Sequence, residues 1–586
     1  MDRKAKRYRL SVVCAAVTLF LGSTGATAAR GAASLTLDGD TDRNGIVDGS
    51  AAERSRKSYA SVIVICNCDR DEPASLAGPS QPDCFDRIVN GAEDWKDLEP
   101  LILRRSLSPP EAEIWLRIEN GSLDDVELGQ RIRVFNDRGR EVLGPSGGDS
   151  YHLSAAETAS LADGDLTYYA EGLSFATSVR LSVLVGPSEQ DYLSIETAPL
   201  ILTPQTQRPR AVYVARPSAV ASSATNLAYV ERFRKAAASC GAAVRLLPTR
   251  EDAWIEDEIA WGYTESPRRR LDVVFHFPRN EELTGEVRKL LGPDLGWCEA
   301  YDDSGPSGDS LNHGGNVEVA PPTPAFPLGR IYYGSIAVHD DPLNSYLPRR
   351  FDARLHAFFV RQGVQPPIEL HTNWLAVGHI DEVAAFVPRG DAPGSLLLLA
   401  SPKLGFDLLG KLDRDAELDA RYRAWIAQLH RVEDFFSATT LGRSLRQYNI
   451  DVDERIFGSD HAAPSPSSIK GILKSELGLA ETDILEVPAV FFNDAGPAFE
   501  SRWGARAIIP CAANSCPLGR TLLVADMLLP AFRDRVEADL QSYRLVPAWL
   551  DDWALHVPYG GVHCNSSVRR EAFTHRWWEN REFRSP

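Results

Sequence analysis

Near its C-terminus the chain reads YGGVHCNSSVRREAF, Tyr559 to Phe573, setting one thiol, Cys564, beside a histidine among glycines and small polar residues. A cysteine in such a stretch can be a nucleophile, half of a disulfide or a buried apolar side chain. Two other stretches carry complementary chemistry. WIEDEIAWGY holds Trp254, Glu256, Asp257 and Glu258, and HTNWLAVGHIDEVAAFVP holds His379 and Asp381. The last two are two residues apart, so on a strand they share one face. Taken singly, Asp257 reads as a salt-bridged surface acid and His379 as a satisfied core histidine. Taken together, a thiol, an imidazole and two carboxylates suit a guanidinium substrate. Its planar fork of N–H donors is best held by paired carboxylates. A thiolate can attack the central carbon, and a histidine can protonate the departing nitrogen and later activate water.

A second constellation is acidic. DGDTDRNGIVD places Asp38, Asp40, Asp42, Asn44 and Asp48 around Gly45, like the first part of an EF-hand loop, but Ala51 stands where that loop carries its bidentate glutamate. Asn67, Asp69 and Asp71 follow, then Asp83, Asp86, Asp94 and Asp97. Oxygen ligands at this density repel one another unless a cation neutralises them, so calcium competes with a solvated acidic loop as the reading.

These residues must be positioned by more than one core, since 586 residues suggest about two to four domains. MDRKAKRYRL, the apolar run from Leu10 to Gly22 and ATA at Ala26–Ala28 form a signal-peptide pattern over residues 1–28. No other stretch approaches the ~20 apolar residues that span a bilayer. Export and cleavage are therefore expected, with the membrane involved only in export and a secreted mature chain. The formal charge of −18 becomes more negative once that basic leader is lost. Such a surface repels phosphate backbones, which argues against nucleic acid, and steers cationic ligands toward it. Among the cysteines, Cys511 and Cys516 are close enough to close a small loop, although spacing does not give connectivity.

From about Leu35 to Thr203, short apolar runs broken by Gly, Pro, Asp and Asn predict an all-β sandwich: SVIVICN, EIWLRIEN, RIRVFND, VRLSVLVG and APLILTP. TPQTQRP, Thr203 to Pro209, reads as a linker. Beyond it, strands such as AVYVAR, DVVFHF, SLLLLASP and RTLLVADMLLP alternate with helical patterns such as EELTGEVRKLLG, where Leu283, Val287, Leu290 and Leu291 share a face. That is an α/β region with no internal repeat visible by eye.

WIEDEIAWGY, PPTPAFPLGRIYYG, NWLAVGHIDEVAAFVP, LLLASP, ELGLAETDILEVPAVF and GGVHCNSSVRREAFTHRWW together resemble the protein-arginine deiminases in content and order. The resemblance implies an immunoglobulin-like middle domain over residues 31–205. It also implies a catalytic pentein domain over 206–586, a five-bladed α/β propeller, and on this reading the N-terminal domain of the animal enzymes is expected to be absent. It further implies hydrolysis of peptidyl-arginine in proteins or peptides to peptidyl-citrulline and ammonia through a covalent thiouronium on Cys564. His379 would be general acid and base, Asp257 and Asp381 the guanidinium clamp, and Trp254 a wall of the substrate channel. Implied calcium ligands of the middle domain are Asp40, Asp42, Asn44, Asp48, Asn67, Asp69, Asp71, Asp83, Asp86, Asp94, Asp97 and Glu171, with Asp294 reaching over from the catalytic domain. A second calcium pair beneath the active site keeps Glu256, Glu258, Asn280 and Glu318, but Ala260, His276 and Phe277 stand where an acid, an acid and a serine are expected. Glu281 replaces an arginine that grips the substrate backbone in the animal enzymes, and Pro558 replaces another substrate-side residue. These departures keep two alternatives open. One is another pentein guanidine-modifying enzyme, such as a free-arginine or agmatine deiminase or an amidinotransferase. The other is a calcium-binding surface protein with an inactive pentein domain.

Overall fold

A computed structural model describes residues 35–70, 89, 91–105, 113–121, 126–218, 224–279, 282–300, 309–335, 349–390, 393–440, 442–494 and 504–579. The leader, Asp71, Asp83, Asp86, Asn280 and Glu281 lie outside the described residues.

The first part is a sandwich of two five-stranded sheets. One sheet orders Leu35–Asp38, Glu99–Arg105, Leu166–Gly172, Ile132–Phe135 and Glu141–Leu143. The other orders Val62–Val64, Ser188–Thr197, Ser178–Val185, Ile114–Asn120 and Ser150–His152. Side chains alternate between buried and half-buried along Glu99–Arg105 and Ile114–Asn120, as period-two strands with one face in the core require. Leu101, Leu103 and Val134 from one sheet meet Leu116, Leu181 and Ile195 from the other.

Beyond it, five sheets repeat one pairing pattern in which a central strand has one antiparallel and one parallel neighbour. The central strands are Pro209–Pro217, Arg270–His276, Arg330–Ser335, Ser395–Ser401 and Thr521–Ala525. Their antiparallel partners are Ser566–Arg570, Ile259–Glu265, Val317–Ala320, Ala384–Pro388 and Cys516–Leu518. Their parallel partners are Ala243–Thr249, Leu295–Glu299, Ile368–His371, Ile484–Pro488 and Val546–Leu550. A parallel neighbour needs a crossover, and helices supply it: Glu282–Arg288, for example, buries Leu283 and Val287 between two strands of one sheet. Central strands such as Ser395–Ser401 are buried at almost every position, which explains the uninterrupted LLLLA run.

The structure departs from the expected order in two places. Ile201–Leu202, inside APLILTP, pairs with Ile259–Glu265 of the second part rather than with the sandwich. Gly262 makes this possible, because a Cβ there would lie 2.6 Å from the Ile201 carbonyl oxygen. GHID is not a strand: His379 precedes a 3-10 turn, Ile380–Glu382, whose Glu382 Oε1 accepts the backbone N–H groups of Gly378 and His379. That Glu382 cap competes successfully with extension.

Candidate active site

Each of the five sheets contributes polar residues at the same place, immediately ahead of or entering its antiparallel strand. Asp257 precedes Ile259–Glu265, Asn316 precedes Val317–Ala320, and His379 and Asp381 precede Ala384–Pro388. Asn514 precedes Cys516–Leu518, and Cys564 precedes Ser566–Arg570.

Cys564 lies in a turn closed by the Asn565 N–H to Gly561 carbonyl bond (3.2 Å), and its own carbonyl accepts the N–H of Glu256 (3.2 Å). Its Sγ lies 3.6 Å from Asp381 Oδ2 and accepts the Asn514 amide Nδ2–H at 3.3 Å. The same amide donates to Asp381 Oδ2 at 2.9 Å, while Asn514 Oδ1 accepts the His563 backbone N–H at 3.0 Å. Asn514 thus ties nucleophile, clamp and turn together. Sequence reasoning missed it, because the flanking Cys511 and Cys516 drew a disulfide reading; both are buried free thiols. Burial first, then Asp381 and Asp257, pushes the Cys564 thiol well above its ordinary range.

His379 is 1% exposed. Its Nε2–H donates to the Ser310 carbonyl at 2.8 Å, which turns Nδ1 toward Asp257 Oδ1 at 3.5 Å. Burial raises the Asp257 carboxyl, opposed by His379 and Arg279. Gly315 permits this approach, since a Cβ there would lie 2.7 Å from His379 Nδ1 and 2.8 Å from Asp257 Oδ1. Asn316, also missed, is buried and fully bonded: its Nδ2 donates to the Leu311 and Gly334 carbonyls, and its Oδ1 accepts from Ile380. Trp254 packs its ring against Gly560, where a Cβ would lie 2.0 Å from the indole.

Two acceptors at the centre have no hydrogen-bond donor, Asp257 Oδ1 and Asp381 Oδ1, and both are buried. Orphaned buried acceptors cost about 1–3 kcal/mol each, so a donor-rich ligand is what the site lacks. A cleft lined by Arg506, Asn514, Tyr559, Gly560 and Gly561 leads to Cys564.

Beneath the site, Glu256, Glu318 and His563 converge within 4.8 Å. His563 Nδ1 bonds Asp381 Oδ2 at 2.9 Å, and Gln205, from the expected linker, donates to Glu318 at 3.1 Å. Burial opposes a charge on His563, but Glu256, Glu318 and Asp381 together raise it to about 10. Burial raises Glu256 to about 8 and Glu318 to about 7. Glu258 is met by His276 Nε2 at 2.9 Å and Arg279 at 3.8 Å. Imidazoles therefore face these carboxylates, and Ala260 lines the adjoining cavity.

The sandwich carboxylates divide. Asp40 and Asp42 converge with Glu53 within 4.8 Å and could hold a divalent cation. Glu53 was missed, although Ser50-x-x-Glu53 is the N-cap signature that places it: its N–H bonds Ser50 Oγ at 3.1 Å. Asp48 turns away to accept the Ser50 N–H, and Asn44 donates to Asp42 and accepts from Ile46. Asn67 donates to Glu171, which Arg133 meets at 2.6 Å. Asp94 accepts from Gly91, while Asp69, Asp97 and Asp294 surround Arg269.

A model of the family described as "Protein-arginine deiminase (PAD)" matches residues 187–579, a span holding the thiol, the imidazole and both orphaned carboxylates. The chain is 29% identical to human protein-arginine deiminase type-1, with 93% of this chain and 82% of that protein covered. It is 31% identical to the human type-3 protein, with 93% and 81% covered, and 32% identical to the mouse type-3 protein, with 88% and 77% covered. The match therefore runs through the sandwich and all five sheets as well as the site, and the chain belongs to the protein-arginine deiminase family.

Proposed function

We propose that this chain is an exported hydrolase that converts peptidyl-arginine to peptidyl-citrulline and ammonia, with its five sheets set as blades around the site. The observation that carries the reading is the pair of buried, donorless oxygens, Asp257 Oδ1 and Asp381 Oδ1, beside a buried thiol. A guanidinium brings the N–H donors they lack, and its charge offsets the two anions that, after burial, raise the thiol.

The proton of Cys564 passes to His379, directly or through water, and Sγ attacks the guanidinium carbon, forming a C–S bond while the C=N π pair moves onto nitrogen. His379 gives a proton to one terminal nitrogen, the C–N bond breaks, and ammonia departs, leaving a thiouronium on Cys564. Neutral His379 takes a proton from water as the oxygen adds to the same carbon. The C–S bond breaks, its electron pair returns to sulfur, the hydroxyl proton passes to that sulfur to restore the thiol, and the urea carbonyl of citrulline forms. Asp40, Asp42 and Glu53 would hold calcium, which when bound supplies neutralising charge to the sandwich loop.

The test is citrulline formation from a blocked arginine peptide and from free arginine, side by side, with mass spectrometry of quenched enzyme for the adduct on Cys564. Turnover of the peptide with an adduct at that residue is expected. Turnover of free arginine alone would overturn the substrate class, and no turnover of either would overturn the reading.

A further inference from the structure

Beside His379 stands a second imidazole that the proposed reaction does not use. His313, in the stretch NHGGN, sits between two 3-10 turns, Ser310–Asn312 and Gly314–Asn316. Its N–H bonds the Ser310 carbonyl at 3.0 Å and its carbonyl accepts the Asn316 N–H at 3.1 Å, which fixes its backbone at the site. Its half-buried ring stands 6.0 Å from the ring of His379, centroid to centroid. Neither ring nitrogen of His313 has a hydrogen-bond partner among the described residues. One nitrogen of His313, one nitrogen of His379 and one oxygen of Asp257 all lie within 4.8 Å of one another.

Two imidazoles and a carboxylate are a donor set for borderline transition ions such as zinc, whereas calcium takes oxygen ligands. Three features prepare the set. The Nε2–H of His379 is spent on the Ser310 carbonyl at 2.8 Å, the kind of outer hydrogen bond that fixes the tautomer of a metal-binding imidazole and leaves the Nδ1 lone pair free. Asp257 Oδ1, 3.5 Å from that Nδ1, is buried and has no donor. Burial first, then the charges of His379, Arg279 and Arg349, hold His313 well below its ordinary range, so its ring also offers a lone pair at neutral pH. Arg279, whose charge reaches Asp257, is itself engaged by Asp252 at 2.9 Å and by the Trp254 carbonyl at 3.0 Å. We propose that His313, His379 and Asp257 form a zinc site within the candidate active site, and that zinc bound there is a reversible inhibitor competing with the substrate guanidinium. Only the competition rests on the proposed reaction: the ion takes Asp257 Oδ1, which the guanidinium needs, and Nδ1 of His379, which passes the proton.

Binding is measured first in Cys564→Ser protein, where the thiol is no ligand, with cobalt as the probe because its visible absorption reports a bound ion. A cobalt signal that zinc displaces is expected. His313→Gln in the same protein should weaken that binding by at least about tenfold, since loss even of a partner behind a ligand weakens a metal site about 10- to 100-fold. No cobalt signal in Cys564→Ser protein, or a signal unchanged by His313→Gln, would overturn the proposal. If His313→Gln does not fold, Asp257→Asn decides: weakened cobalt binding supports the site, and unchanged binding overturns it. In the parent enzyme, with calcium present, zinc should inhibit peptide turnover competitively with respect to the peptide, and a zinc-selective chelator should restore it. His313→Gln should keep its turnover in the absence of zinc and resist the ion; inhibition of equal strength in both proteins would overturn the proposal. Absence of citrulline formation with His313-dependent cobalt binding intact would count against the enzymatic reading and leave the metal site standing.

Discussion

Asn514 donates from one Nδ2 both to Sγ of Cys564, at 3.3 Å, and to Oδ2 of Asp381, at 2.9 Å. An amide donor shared by nucleophile and clamp favours the thiolate, and it is the lowering influence on Cys564 against burial and two carboxylates. A hydrogen bond to a charged group is worth about 1.5–3 kcal/mol, so Asn514→Leu should lower kcat/KM about ten- to a hundredfold. The pH at which the rate rises should move upward, as read from a pH–rate profile. An unchanged profile would remove Asn514 from the reaction.

The raised Cys564 thiol makes a prediction about reagents. Iodoacetamide, which is neutral, should alkylate the free enzyme slowly at neutral pH, because burial, Asp381 and Asp257 disfavour the thiolate. A cationic haloacetamidine of similar size should inactivate it much faster, since its amidinium pairs with the carboxylates. Asp381→Asn should narrow the gap from both sides, speeding iodoacetamide and slowing the amidine. Equal rates in the parent enzyme would count against the clamp.

His461 offers a pH dependence of stability remote from the site. Its Nε2 lies 2.6 Å from Asp453, its Nδ1 2.9 Å from Glu486, and its carbonyl accepts from Lys470. Burial opposes its charge, yet the two carboxylates raise it to about 9. The folded value thus lies above the ordinary value of about 6.5, so the stabilisation is complete below about pH 6.5 and is lost as pH climbs toward about 9. Melting temperature measured between those limits should fall, and His461→Gln should flatten that fall while lowering stability at pH 6.

Calcium should act on the sandwich loop more than on catalysis. Asp40, Asp42 and Glu53 converge with no basic side chain among them, whereas Glu256 and Glu318 beneath the active site converge on His563, and Glu258 is met by His276. A cation bound only by the native state raises its stability, by about 2.7 kcal/mol at a hundred times Kd. Calcium should therefore raise the melting temperature, with citrulline production changing little, and Glu53→Gln should abolish the rise. An all-or-none gain of activity with no thermal shift would show the roles to be reversed.

Much of this was legible along the chain. Alternating apolar residues over 114–120 and 178–185 are a local property, and they specify sandwich strands whatever the partners. The chemistry of Cys564, His379, Asp257 and Asp381 follows from residue type, because only a few substrates need a thiol, an imidazole and paired carboxylates together. What the tertiary structure alone decided is how such distant residues meet. Five sheets with no visible sequence repeat share one strand order, since pairing depends on burial and backbone hydrogen bonds rather than on particular side chains. Each brings the residues ahead of the same strand to one place. Asn514 and Gln205 acquired their roles only there: an amide has no distinctive spacing, and its value lies in donors and acceptors that folding places around it. Charge was settled in the same way. A run of acids in sequence announces a need for positive charge, but which basic side chain reaches it is decided by the fold, which brings Arg269 between Asp97 and Asp294.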